Sequence, residues 1–161
     1  MVRKLAALVF VFAVFATVSA GRPSAALASG SSSCSLASVA GSWGFDYNGV
    51  GILPTGPVPI GAVGRFHTDS AGNFVGSETN SLAGVAAFQT ITGTITIHSD
   101  CSGLLVANVY QNGQLVRMSV VRLQYENNSN DVQGMFTKVT LPDGSTLPVV
   151  ITIAGKRTGD S

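Results

Sequence analysis

The chain has 161 residues, with nine basic and eight acidic side chains, 11% charged residues and 45% hydrophobic ones. A net charge of +1 leaves no basic footprint for nucleic acid or an anionic membrane surface, and the length suits a single domain with its own core.

The N-terminus reads as a targeting segment. Arg3 and Lys4 precede the apolar run "LAALVFVFAVFATV" (5–18), and small-residue cleavage patterns end at Ala20 and at Ala28. This is the layout of a secretory signal peptide, and the run is shorter than the roughly 20 apolar residues that a membrane-spanning helix needs. We expect residues 1–28 to be removed, with cleavage after Ala28 or, alternatively, Ala20. The mature protein would then be secreted or periplasmic, without stable membrane insertion. Loss of Arg3, Lys4 and Arg22 leaves a slight excess of acid. Residues 29–39 are rich in Ser, Ala and Gly and are expected to be a flexible segment before a domain at 40–158.

Cys34 and Cys101 are the two cysteines. An even count in an exported chain reads as one disulfide, and neither residue sits in a CxxC or beside a histidine. Closing so long a loop contributes roughly 4 kcal/mol on the chain-entropy model.

From residue 40 onward, turn signals recur: Tyr47-Asn48-Gly49, Asp69 to Asn73, Asp100 to Gly103, Gln111-Asn112-Gly113, Asn127 to Asp131 and Pro142-Asp143-Gly144. The runs between them predict strands at 41–48, 60–68, 73–82, 86–98, 104–111, 114–125, 132–140 and 147–156. Most are joined by hairpins, so the fold class is all-β. A single antiparallel eight-stranded up-and-down barrel is the leading architecture, with a β-sandwich as the alternative. Closure would also protect long, weakly charged strands from edge-to-edge pairing.

Period-two alternation assigns faces. Trp43, Phe45 and Tyr47 share one, and Ile91, Ile95 and Ile97 are opposed by Thr90, Thr92, Thr94 and Thr96. The run "LLVANVY" (104–110) is apolar on both faces. The stretch "GVGILPTGPVPIG" (49–61), with three prolines and four glycines, reads as a lid or plug over one barrel end.

Few residues carry recognisable chemistry. His67 and His98 precede Asp69 and Asp100, but no cluster completes a zinc site, which needs three or four protein ligands. No metal and no cofactor are expected, and with no serine in a nucleophile elbow and no Gly-rich loop between a strand and a helix, hydrolase and nucleotide-binding motifs are absent. Glu78 lies mid-strand on the face of Phe74 and would be a buried carboxylate wanting a partner, with Arg117 as the plausible cation. A small apolar ligand is the expected partner, lined by Phe45, Tyr47, Phe66, Phe74 and Tyr110 and oriented by Glu78 and Arg117. Glu78 and Tyr110 are the candidates for proton donor in an enzyme reading. Asn127-Asn128-Ser129 matches a glycosylation sequon.

Gly41-Ser42-Trp43 on the first strand, eight antiparallel strands and a basic residue on the last together resemble the lipocalin/calycin superfamily. That resemblance implies a barrel closed at one end, where Trp43 packs beneath Arg157, with Lys156 the neighbouring candidate. It also implies small-ligand binding. The C-terminal helix and the Thr-Asp-Tyr triplet of that family are missing. The chain is also similar to exported bacterial proteins that begin with a Gly-x-(Trp/Tyr)-x-Phe strand and carry "AGN…GSET". Short barrels of the allene-oxide-cyclase type are a second choice, which would imply a cyclase or isomerase. A side-chain-filled structural or envelope-interaction module is the third.

Overall fold

The structure is a computed structural model that describes residues 34–159. The signal-peptide expectation therefore lies outside the described residues. A one-turn helix, α1 (Leu36–Val39), precedes eight strands: β1 (Gly41–Leu53), β2 (Gly56–Thr68), β3 (Asn73–Leu82), β4 (Val85–Ile97), β5 (Ser102–Gln111), β6 (Gln114–Glu126), β7 (Asp131–Thr140) and β8 (Val149–Arg157). Each strand pairs antiparallel with the next, and β8 returns to β1, closing the barrel. The all-β, up-and-down barrel predicted from the turns and alternation is the fold, and Cys34 and Cys101 form its disulfide.

Tight turns set the register. Ala83-Gly84 and Asn112-Gly113 form two-residue loops whose central residues all have positive φ, as hairpins twisted to match right-handed strands require. Along each strand, buried and exposed residues alternate, so the Ile91–Ile95 face of β4 points inward and its threonines outward.

Interior aromatic rings sit opposite glycines. Phe45 pairs with Gly64, Phe66 with Gly76 and Phe74 with Gly93. A Cβ at Gly64 would fall 2.6 Å from the Phe45 ring, and one at Gly93 would fall 2.9 Å from the Phe74 ring. Glycines at these places let the rings lie flat across the neighbouring strand, a device that bends strands into a small barrel.

Two expectations are reversed. The stretch 49–61 is not a lid: it is the far half of β1 and the near half of β2, paired from Gly49↔Ile60 to Leu53↔Gly56. Its prolines are tolerated because pairing with β3 begins only at Ile60. The Pro59 carbonyl, which accepts from the Ala83 amide, faces the β3 side, and the missing N–H of Pro57 and Pro59 faces the same side, beyond the last β2–β3 residue pair. The plug is instead the segment expected to be flexible. Of residues 29–39, those from Cys34 onward form a structured cap. Ser35 N-caps α1 in a reciprocal capping box with Ser38, Val39 is wholly buried, and Cys34 is tied to Cys101. Leu36 packs into the space above Gly72.

Candidate functional site

At the end closed by α1, Trp43 is 1% exposed and its indole nitrogen donates to the Val39 carbonyl at 3.0 Å. Trp43 and Arg157 are cross-strand partners, and the guanidinium lies 5.1 Å from the indole centroid. Arg157 also donates to the carbonyls of Ala40, Ser38 and Ser129. Phe66 stacks on Trp43 and Tyr125 meets it edge-on. Lys156, the neighbouring cation, points outward toward Asp131. These residues seal the barrel.

Midway along the barrel axis lies a layer of polar side chains. The Tyr47 hydroxyl donates to Glu78 Oε1 at 3.1 Å and accepts from Asn80 Nδ2 at 3.0 Å and Arg117 Nη2 at 2.8 Å. Arg117 Nη2 also pairs with Glu78 Oε1 at 2.5 Å, and Nη1 donates to Gln89 Oε1 at 2.8 Å. Gln89 Nε2 donates onward to Gln111. The register builds this layer: Tyr47 reaches across the small Ala62 to Asn80, and Glu78 faces Gln89. A bulge between Val109↔Arg117 and Tyr110↔Leu115 puts both Val116 and Arg117 on the interior. Burial holds the Tyr47 phenol well above the ordinary tyrosine range, only partly offset by the Arg117 charge.

The polar layer divides the interior. On its closed side Phe45, Phe66 and Phe74, with Ile91, Leu105, Val121 and Phe136, leave a void of about 40 Å³, room for water but not for an organic ligand. Ser119 Oγ, buried beside that void, has no partner among the described residues. On the open side the barrel encloses a cavity of about 500 Å³. Its walls are aliphatic, with Leu53, Val58 and Ile60 on one flank and Val139, Leu147 and Ile151 on the other. Its floor is Tyr47, Asn80, Gln89, Gln111 and Arg117, and its rim includes the exposed Leu82 and Val85.

No family model and no curated protein matches this chain. Among solved structures it is similar to EF1p2_mFAP2b bound to DFHBI, with a TM-score of 0.52 and 8% identity over 74% of this chain and 94% of that one. It is also similar to a redesigned beta barrel, mFAP1, bound to DFHBI, with a TM-score of 0.47 and 15% identity over 76% of this chain and 98% of that one.

The structure thus brings Tyr47, Glu78 and Arg117 together and separates the other candidates from them. Phe45, Phe66 and Phe74 pack the closed half and do not line the large cavity. Tyr110 is on the outer surface beside Phe88 and Thr90, because Leu105, Ala107 and Val109 take the inward positions of β5. It is neither a lining residue nor an internal proton donor. His67 and His98 are exposed, and their aspartates serve their own turns. Asp69 accepts from the side chain and backbone of Asn73, and Asp100 from the side chain and backbone of Ser102, which holds both below the usual carboxylate range. Asn80, Gln89 and Gln111 escaped sequence reasoning. Their one signal was an amide at an inward position, on an otherwise apolar face for Gln89 and Gln111 and beside Glu78 for Asn80.

Proposed function

We propose that this protein binds one small, largely apolar molecule in the open-ended cavity above the Tyr47–Glu78–Arg117 layer. The observation that carries the reading is that cavity. A barrel packed solid would have no use for about 500 Å³ lined by aliphatic side chains and floored by polar ones. That EF1p2_mFAP2b, on a similar fold, is bound to DFHBI supports a small-molecule role. Kinship with the lipocalin/calycin superfamily is part of the proposal, supported by Arg157 over Trp43 at the closed end. So is export to the periplasm or the exterior, supported by the Cys34–Cys101 disulfide and the signal-peptide pattern of residues 1–28.

A cyclase or isomerase reading requires a proton donor at the cavity. Glu78 is committed to Arg117, and Tyr110 is outside the barrel. Binding needs neither. Native mass spectrometry of the protein purified from its own host tests the reading. One small-molecule adduct per chain, lost on mild activation, is expected. A bare chain mass together with no uptake of any neutral apolar probe would refute it.

A further inference from the structure

The cavity floor says what kind of polar group the ligand carries. Arg117 is the one charged side chain lining the cavity among the described residues, and alone it would mark a carboxylate site. It is already neutralised. Glu78 lies 2.5 Å from Nη2, and the side chains are 3% and 16% exposed, so the pair is formed away from water. The Tyr47 hydroxyl is saturated as well, with one bond donated and two accepted. Bonding capacity remains on two of the five Arg117 N–H groups and on the amides beside them: among the described residues Asn80 Oδ1 accepts no hydrogen bond and Gln111 Nε2 donates none.

We propose that the cavity takes a neutral amphiphile, an aliphatic body ending in a hydroxyl or amide, and discriminates against carboxylates. This rests on the cavity-binding reading above. A neutral head group donates to Asn80 Oδ1 and accepts from Gln111 Nε2 while the chain lies against Val58, Ile60, Val149 and Ile151. A carboxylate head would enter a low-dielectric site with no net countercharge and would repel Glu78. The electrostatic partner that sets this selectivity is therefore Glu78, a residue that does not line the large cavity.

Competition against the neutral fluorophore N-phenylnaphthylamine, with n-decanol and n-decanoate at neutral pH, tests the proposal on the full mature chain. Wild type should bind decanol at least about tenfold more tightly than decanoate, the scale of one uncompensated charge. Glu78→Gln keeps an acceptor for Tyr47 and Arg117 but removes the countercharge, so the preference should swing toward decanoate by a similar factor. Wild type that prefers decanoate, or a Glu78→Gln variant with the wild-type ratio, overturns the head-group assignment while leaving the cavity reading intact. Wild type that binds neither compound nor the fluorophore overturns both. If Glu78→Gln does not fold, the wild-type ratio decides.

Discussion

Arg157 and Trp43 face each other across β8 and β1, and the arginine's terminal nitrogens reach past the indole to the carbonyls of Ala40 and Ser38. One side chain thus covers the buried ring and ties α1 to the last strand. Replacing Arg157 with Met should cost at least about 2 kcal/mol, from the cation–π contact and three charge-assisted hydrogen bonds. Arg157→Lys should lie between, keeping the charge but losing the fork. Urea unfolding midpoints of the three proteins check the order.

The Glu78–Arg117 pair makes opposite demands on single and double variants. Arg117→Met alone leaves a carboxylate buried without its cation and should destabilise the barrel by about 3–5 kcal/mol. Adding Glu78→Leu removes the stranded charge and should restore most of that loss. A double-mutant cycle by chemical denaturation measures the coupling.

Alkaline stability should be limited by two tyrosines. Burial pushes Tyr125 up to about 12 from an ordinary 10.0, with Arg157 opposing the shift, and raises Tyr47 further. Both are neutral acids favoured by the fold. Between these values the unfolded chain gives up protons that the native one keeps, so stability is fully present below pH 10 and is lost as pH rises toward 12. Tyr125 alone corresponds to about 2–3 kcal/mol. The urea midpoint should fall over that window, and native tyrosinate absorbance should trail that of the unfolded chain.

The disulfide secures the cap as much as the barrel. Cys34 and Cys101 are 67 positions apart, and opening the bridge should cost roughly 4 kcal/mol on the chain-entropy model. Because Cys34 adjoins α1, the amides of Ser38, Val39 and Ala40 should lose hydrogen-exchange protection before the strands do. Exchange on the reduced protein, resolved by residue, reads this directly.

The strands, their order and the disulfide were legible in the sequence because each follows from a local rule: alternation such as Ile91–Thr92, turns such as Asn112-Gly113, and an even cysteine count. What misled were residues whose role depends on a neighbouring strand. Pro57 and Pro59 look like breakers until β3 is seen to end short of them, leaving their missing N–H groups without a partner to disappoint. Tyr110 sits in a run apolar on both faces, where alternation cannot choose, although the small Ala107 and the polar Asn108 mark inside and outside. The Glu78–Arg117 pairing could be suggested from their faces. Its extension through Tyr47, Asn80 and Gln89 depends on barrel closure and on the bulge beside Arg117, which no spacing along the chain encodes.

If the open half of the barrel binds a ligand, titration with N-phenylnaphthylamine should show it. Ala87 lines that cavity, and a tryptophan there would occupy much of it without touching the polar layer's charges. Wild type should show saturable fluorescence enhancement at one probe per chain, and Ala87→Trp should weaken it at least about tenfold with the fold retained by circular dichroism. Absence of saturable binding, or equal binding by Ala87→Trp, would show that the open half of the barrel is not the binding site.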